Sequence, residues 1–556
     1  MARFPKLSRF LPILVVLGIV SLVVASIHLP VSGPAKSREV GATPDALRAT
    51  VERVNAHFAS RWSAEQLPPA DRASDLQVLR RLSLALHGTI PSLEEIREFE
   101  ADRREDRLEH WTRRLLADPR FPDYFAERLA RSYVGKEDGQ FIIFRRDRFV
   151  EWLSGHLKQS TPYDRMVRDM IADTGLMTGK PAVNFITAAF ANDEIDENKL
   201  AGKTVRAFLG QRIDCAQCHD HPFDHWKQHE FEGLAAFYGQ ARQTIVGLED
   251  KTQVDGKPVE YVVEDRKTQE QRVVQPAVPV HPEWMPSSGS RRQQLAAWIT
   301  HPENRQFERA IANRTWALLF GRAYLEPVDD LRDAPPLSAP PDLLDILGRD
   351  FREHGCDLRR LIQVIAASTP FRLSSEWDES RLVPVGESAE TALQRIQQEW
   401  GVFPLIRLRP EQVIGSLLQS SSIQTIDQNS HFFVRAKKFF QQGDFVQEYG
   451  DLGENELQDR GGTIPQRLLL MNGNLAAEAM EAKVLSASKR IAMRASTNEK
   501  VIEAAYLVCL TRRPTPAESA WFVQELDDSG DQFGKQRAVE DLLWSLMNSI
   551  EYSWNH

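Results

Sequence analysis

The sequence predicts a mainly α-helical protein, and three observations lead to this fold class. Apolar residues recur at helical spacing, as in the series Leu76, Leu79, Leu82 and Leu86. Residues that stop and start helices flank such series. Strand-like alternation stands out in one short stretch, 259–263. We therefore expect two helical domains joined by a small connector that contains a β-hairpin, behind an N-terminal membrane anchor or signal.

The first predicted helix has clear end signals. Gly88 followed by Pro91 is typical of a helix C-terminus. Ser92, with Glu95 three residues later, predicts a capping box that starts the next helix. The arginines and acids on the other faces of these helices are interpreted as solvated surface.

The chain begins with a basic and then an apolar segment, which is typical of an export signal. Arg3, Lys6 and Arg9 precede an uncharged run, and its most apolar part, 11–27, is close to the shortest length that spans a bilayer. The segment is either a cleaved signal peptide or a retained anchor, and we favour the anchor with its basic end inside. This predicts a single-pass protein of the cytoplasmic membrane whose bulk lies on the periplasmic, extracytoplasmic side.

Composition and periodicity divide the chain into five segments. These are a signal or anchor at 1–30, a linker at 31–65, a first helical domain at 66–243, a β-rich connector with an Asp255-Gly256 turn at 244–290, and a second helical domain at 291–556.

The charge balance argues against nucleic acid as a partner. The chain has 69 basic and 78 acidic residues, which gives a net charge of −9. Because binding to nucleic acid needs a clustered positive surface, we expect no such partner. The expected partners are the membrane, through the N-terminal segment, and a redox partner protein.

The four cysteines fall into a close pair and two distant residues. Cys356 and Cys509 lie far apart in helical patterns, so we predict free buried thiols there, with a disulfide as the less favoured alternative. Cys215 and Cys218 are followed directly by His219, which is the spacing of a c-type haem attachment site. In such a site the two thiols bond the haem vinyl groups and the histidine ligates the iron.

Further histidines follow this motif, so a second interpretation of the site stays open. Zinc takes cysteine and histidine ligands in a tetrahedron, so Cys215 and Cys218 with two of the histidines are a candidate structural site. In a metal-dependent enzyme or binding protein the alternative ligands are His219, His221, Asp224, His225 and His229. A third interpretation is a disulfide between the two cysteines. The candidates for a sixth haem ligand are Met170, Met177, His225 and His229.

An acidic stretch lies about twenty residues before the cysteines. It comprises Asp193, Glu194, Asp196 and Glu197. Paired carboxylates bind calcium or act as acid and base. Acids near a helix start also stabilise its positive end without any further function, and we favour this interpretation.

Several motifs together resemble a known family. The segments Arg80–Gly88, Leu115–Arg120 and Cys215–Asp224 resemble the planctomycete-type PSCyt domain (domain of unknown function 1549). The second half resembles the PSD domain (domain of unknown function 1553) that accompanies it, through Arg309–Trp316, Phe320–Arg322, Gln466–Asn472 and Asp541–His556. The resemblance implies an exported protein with a cytochrome-like Cys-His site and specifies no reaction. Within it, Asn313, Arg314 and Trp316 are interpreted as a helix-packing motif with a buried polar network.

These observations lead to two functional hypotheses. The first is a membrane-anchored c-type haem protein for electron transfer or redox sensing, in which Cys215 and Cys218 hold haem c and His219 ligates its iron. The second is an extracytoplasmic metal-dependent enzyme or binding protein that holds zinc or another divalent metal, with carbohydrate as the candidate ligand. Whether the protein is an enzyme is left open by the sequence.

Overall fold

The computed structural model is mainly helical, which confirms the predicted class. It describes residues 44–136, 143–192, 194–264, 268–378, 388–427, 445–446, 448–450, 463–472 and 487–556. The predicted signal or anchor, 1–30, lies outside these ranges. Within them, no helix combines the length and the apolar character that crossing a bilayer requires.

Helices account for most of the described chain. The first eleven, α1 to α11, are Pro44–Ala64, Asp75–His87, Leu93–Ala101, Arg107–Ala117, Arg120–Val134, Arg146–Lys158, Tyr163–Ala172, Asn184–Thr187, Glu197–Phe208, Gln228–Ala235 and Arg291–Ile299. The next eleven, α12 to α22, are Arg305–Phe320, Leu343–Glu353, Leu358–Ala367, Thr369–Arg372, Ala389–Gln398, Pro410–Ser420, Ile464–Asn472, Ala487–Arg494, Asn498–Leu510, Pro516–Asp527 and Gln532–Met547.

The strands are short, and within the described residues they form only two-stranded antiparallel sheets. In order, β1 to β10 are Phe190–Ala191, Glu194–Ile195, Ala241–Thr244, Gly247–Asp250, Gln253–Val254, Lys257–Pro258, Tyr261–Glu264, Gln271–Val274, Ile406–Arg407 and Trp554–Asn555. Five hairpins or pairs result, and β10 pairs with β9 across a long sequence separation.

The chain folds into two compact units whose segments interleave. Of the described residues, unit 1 contains those within 137–203 and 213–301, and unit 2 contains those within 39–136, 204–212 and 302–556. The β-hairpins between 241 and 274 therefore lie inside unit 1. The linear domain limits drawn from the sequence, 66–243 and 291–556, stay a prediction.

Unit 1 is held together by a buried arginine. Arg292, on α11, is fully buried, and its Nη1 atom donates to the carbonyl oxygens of Ile171 at 3.0 Å and Asp173 at 2.9 Å. Its Nε atom donates to the Asp250 carboxylate at 2.7 Å. One side chain thus ties the end of α7 and strand β4 to α11.

The predicted turn of the hairpin region is present. Asp255 and Gly256 have φ angles of 52° and 75° and join β5 to β6 as a two-residue turn, for which two positive φ values are typical. Tyr261 on β7 is buried, and a Cβ atom at Gly239 would lie 2.7 Å from its backbone nitrogen. Glycine at 239 therefore lets the hairpin approach the preceding helical segment.

Unit 2 contains the predicted first helix and its end signals. Helix α2 ends at His87, and Gly88 follows with a φ of 67°. The capping box at α3 is formed, because Ser92 Oγ accepts from Glu95 N at 3.0 Å and Glu95 Oε2 accepts from Ser92 N at 2.9 Å. Both predictions are confirmed.

Part of the predicted linker, 31–65, is instead a long helix. Helix α1 spans residues 44–64, and Val54, Phe58 and Trp62 are buried along one of its faces. Phe58 stacks on Trp316 with ring centroids 5.8 Å apart. The apolar face makes α1 part of the core of unit 2, which corrects the assignment of 44–64 to a linker.

The motif at Asn313 is a packing motif, as predicted. Asn313 is fully buried, its Nδ2 atom donates to the Leu325 carbonyl oxygen at 2.8 Å, and its Oδ1 atom accepts from Leu325 N at 3.0 Å. Trp316, one turn later on α12, is also fully buried and contacts Trp400 edge to face at 5.2 Å. The helix thereby fixes the loop that follows it.

Candidate functional site

The Cys-x-x-Cys-His motif lies in a loop of unit 1 between α9 and α10. A short 3-10 turn, Asp214–Gln217, begins the loop, and buried Ile213 and Ala216 anchor it. Asp214 approaches α9 closely, since a Cβ atom at Gly202 would lie 2.7 Å from its Oδ1 atom. The apolar anchors hold the backbone, so the polar side chains between them face solvent.

The far end of the loop is closed by Trp226 and Asp220. Trp226 is buried, and its carbonyl oxygen accepts from His221 N at 2.8 Å. Asp220 Oδ1 accepts from the backbone nitrogen of Gln228, the first residue of α10, at 3.1 Å. This bond and the ammonium of Lys227 hold the pKa of Asp220 below its usual value. The loop is therefore a defined structure.

Neither cysteine of the motif is in a disulfide, and both are exposed to solvent. Cys218 N donates to the carbonyl oxygen of Cys215 at 3.4 Å, which is the pattern of a helical turn. Two exposed thiols on one turn are accessible to a reactive group from outside. The disulfide interpretation is not realised in this structure.

His219 is exposed, and its ring is oriented by the residue that follows. Its Nδ1 atom lies 2.7 Å from the carbonyl oxygen of Asp220. Because a carbonyl oxygen only accepts, Nδ1 carries the proton and Nε2 keeps its lone pair. Metal-bound histidines are oriented in this way, by donation from the ring nitrogen that does not bind the metal.

The other histidines of the loop have separate local roles. His221 Nδ1 accepts from Phe223 N at 3.3 Å, and His225 Nδ1 lies 2.7 Å from Asp224 Oδ1. His229 is exposed on α10. Among the residues that the structure describes, no three cysteine, histidine or acidic side chains lie close enough together to hold a metal ion.

The arrangement of the two cysteines and His219 fits a haem c attachment site better than a tetrahedral zinc site. In a haem c site the thiols bond the porphyrin edge and only the histidine contacts iron, so Cys215, Cys218 and His219 need not converge on one point. Zinc needs four ligands at about 2.0 to 2.3 Å from one centre. The loop would have to rearrange to bring His221, Asp224, His225 or His229 to both cysteines.

The candidates for a sixth ligand differ in accessibility. Met170 is fully buried in the core of unit 1, so it would have to leave that core to reach a ligand at the surface. Met177 is half-buried, and His225 and His229 are exposed. Accessibility therefore favours the last three.

The acidic stretch has a structural role at its helix. Asp196 Oδ1 accepts from Lys199 N at 2.9 Å, and Glu197 is the first residue of α9. Glu194 lies on strand β2, and Asp193 falls outside the described residues. The contact of Asp196 is that of a helix cap, as favoured from the sequence.

Cys356 and Cys509 are not in a disulfide, as predicted, but Cys509 alone of the two is buried, and Cys356 is half-buried in a turn outside any helix. Cys509 is fully buried on α20, and burial raises the pKa of its thiol to about 12. Such a thiol is unreactive, because the thiolate is the nucleophile. Cys509 is therefore not a candidate for thiol chemistry.

Sequence reasoning missed the groups that orient the motif. Asp220 acts on His219 through its backbone carbonyl, which leaves no side-chain signal, and Trp226 closes the loop through its own carbonyl. The one sequence signal for this orientation is that Asp220 directly follows the motif. Several arginines that the sequence predicts to be solvated surface line a cavity of unit 2.

The fold and the site define a mainly helical protein of two units, whose segments alternate along the sequence, with an exposed loop that carries two cysteines and a histidine. Residues 53–243 match the family model PSCyt2, described as a protein of unknown function (DUF1549), and residues 291–448 match PSD1, a protein of unknown function (DUF1553). The chain therefore carries a PSCyt2 match followed by a PSD1 match, in the order that the sequence resemblance implies. This confirms the resemblance seen in the sequence. No curated protein and no solved structure matches the chain.

Proposed function

We propose that this chain is an extracytoplasmic, membrane-anchored protein that carries one haem c and transfers electrons to or from a partner protein. The observation that carries this proposal is the 2.7 Å contact between His219 Nδ1 and the Asp220 carbonyl oxygen. It leaves Nε2 as the free ring nitrogen and fixes the ring, which is the arrangement that an axial ligand needs.

Each residue of the motif has a separate task in this proposal. Cys215 and Cys218 would hold the haem through thioether bonds, and His219 would be the proximal ligand. A bound haem c supplies a one-electron redox couple. The exposure of all three residues supports exchange with a protein partner, and the same exposure would serve redox sensing.

The N-terminal sequence supports the proposed location. The basic residues before the apolar run 11–27 favour export with the basic end inside. Covalent attachment of haem c is expected outside the cytoplasm, so export and the motif are consistent with each other.

The test is the absorption spectrum of the full-length chain, produced in a host that attaches c-type haem. We expect a Soret band and haem staining that survives denaturation. The double variant Cys215→Ala, Cys218→Ala should lose both signals. The matched variant Cys356→Ala, in a cysteine outside the motif, should keep them. A colourless wild-type protein would contradict the proposal.

A second candidate is a metal-dependent enzyme or binding protein, and one contact favours it. Asp224 Oδ1 lies 2.7 Å from His225 Nδ1, and a carboxylate partner of this kind orients metal-bound histidines. This candidate predicts a colourless protein with about one bound zinc or other divalent metal per chain. Metal analysis of the same preparation separates the two candidates.

A further inference from the structure

Unit 2 contains a solvent-open cavity whose wall is almost entirely charged. Its volume is about 450 Å³, within the range of small-molecule sites, about 300 to 1,000 Å³. Five arginines and four carboxylates line it, and Leu108 is the apolar lining residue. Small-molecule sites are usually lined by apolar side chains, whereas this charged wall favours a highly polar ligand. The cavity belongs to the unit that does not contain the Cys-x-x-Cys-His loop.

The backbone brings two of the arginines together from distant parts of the chain. Ala73 N donates to the Arg372 carbonyl oxygen at 2.9 Å, and Ser374 N donates to the Asp71 carbonyl oxygen at 2.7 Å. Arg72 and Leu373 form an isolated antiparallel bridge between these bonds. The positions of Arg72 and Arg372 in the wall are therefore fixed by the fold.

Neighbouring groups hold two of the guanidinium groups in place. Arg107 donates to the Asp75 carboxylate, and its guanidinium carbon lies 4.5 Å from the centre of the Phe99 ring. Arg372 Nη2 donates to Glu109 Oε1 at 2.9 Å. A guanidinium has five N–H donors, so each of these arginines keeps donors for a ligand.

The wall has one positive charge more than its carboxylates neutralise. Arg103 is exposed and makes no ion pair with any residue in the described parts of the chain. Next to it, Arg104 N donates to Asp102 Oδ1 at 3.1 Å, which orders the loop between α3 and α4. Glu105 is the other lining charge without an ion pair in these parts, and Asp75 is shared by Arg72 and Arg107, so the wall has one net positive charge while the guanidinium of Arg103 stays available to a ligand.

These groups specify the chemistry of a ligand. Guanidinium donors and carboxylate acceptors both line the wall, so a ligand rich in hydroxyl groups can accept from the first and donate to the second. The four carboxylates would repel a compact polyanion, whereas a single negative charge matches the surplus. We propose that this cavity binds a small, hydroxyl-rich ligand with one negative charge, the chemistry of a sugar acid, with Arg103 as the partner of the charge.

Titration calorimetry on the full-length chain tests this proposal with glucuronate as the probe. Glucose supplies hydroxyl groups without the charge, and acetate supplies the charge without the hydroxyl groups. The variant Arg103→Gln removes the free charge at an exposed position, so folding is retained and is checked by circular dichroism. Arg48→Gln, an exposed arginine that does not line the cavity, is the matched control.

We expect saturable binding of glucuronate, and binding of glucose and of acetate each weaker by about tenfold or more. Arg103→Gln should weaken glucuronate binding by about tenfold, the loss expected for one charge-assisted hydrogen bond, and Arg48→Gln should leave it unchanged. The proposal is overturned if glucuronate does not bind, if acetate or glucose binds as tightly, or if the two arginine variants behave alike.

Discussion

His219 and Asp220 are adjacent in sequence, and the carbonyl oxygen of Asp220 fixes the tautomer of the His219 ring at a distance of 2.7 Å. The side chain of Asp220 meanwhile accepts from Gln228 N and so caps the next helix. The residue after the motif therefore connects the proposed ligand to the framework of unit 1. Ligand orientation and loop structure depend on the same residue.

Replacing His219 should separate haem attachment from iron ligation. In His219→Ala the two cysteines remain, so we expect covalent haem to be retained while the spectrum changes to that of iron without its proximal ligand. Added imidazole should restore the wild-type spectrum. The control His110→Ala, in unit 2, should leave the spectrum as it is. An unchanged spectrum in His219→Ala would exclude this histidine as the ligand.

Arg292 should contribute strongly to the stability of unit 1. Arg292→Ala leaves the Asp250 carboxylate and two carbonyl oxygens without their buried donor. We expect the free energy of unfolding to fall by about 3 to 5 kcal/mol in urea titrations. The surface pair Lys251 and Glu249, 3.4 Å apart, gives the comparison, since Lys251→Ala should cost less than about 1 kcal/mol. Equal losses in both variants would contradict the assigned role.

Asn313 should stabilise unit 2 through the loop that it holds. Asn313→Ala leaves the N–H and the carbonyl group of Leu325 without partners, so we expect a loss of about 2 to 3 kcal/mol in the free energy of unfolding. Asn498 makes an exposed contact with Asp527 at 2.7 Å, and Asn498→Ala should cost less than about 1 kcal/mol. Losses of similar size in the free energy of unfolding of the two variants would show that the buried hydrogen bonds of Asn313 stabilise the protein no more than the exposed contact of Asn498.

His87 should make stability depend on pH. Burial, and next the charge of Arg120, lower its pKa to about 4, while Asp118 and Glu95 act in the opposite direction. Between about pH 6.5 and 4, the unfolded chain therefore binds a proton at His87 more readily than the folded chain does. The contribution of His87 to the free energy of unfolding is complete above pH 6.5 and is lost as the pH falls through this range. The contribution of His87 amounts to about 3.5 kcal/mol at most, since its pKa falls from 6.5 to about 4 and one pKa unit is about 1.4 kcal/mol.

The measurement is the free energy of unfolding of the wild type minus that of His87→Gln, followed from pH 7 to pH 4. We expect this difference to fall steadily as the pH decreases. A flat curve for His87→Gln would contradict the assigned contribution.

Local signals in the sequence predicted local structure well. The helix that ends before Gly88, the capping box of Ser92 and Glu95, and the turn at Asp255 and Gly256 each depend on a few neighbouring residues. Their physical causes are backbone conformation and short-range hydrogen bonds. Such features do not require knowledge of distant contacts.

Features that depend on distant contacts were not predictable in the same way. The burial of α1 depends on contacts such as that between Phe58 and Trp316, more than 250 positions apart, so its sequence alone suggested a linker. The cavity in unit 2 joins Arg72 to the segment at Arg372 through backbone bonds. In the motif, the sequence named the cysteines and His219 but gave no signal for the carbonyl group of Asp220.

The most direct test of the central claim is the mass of one peptide. Trypsin cleaves after Arg212 and Lys227, so the peptide 213–227 contains Cys215, Cys218 and His219. From protein made in a host that attaches c-type haem, we predict that this peptide carries the added mass of one haem and that the peptides with Cys356 and Cys509 carry none. An unmodified 213–227 peptide with two free thiols would contradict the account.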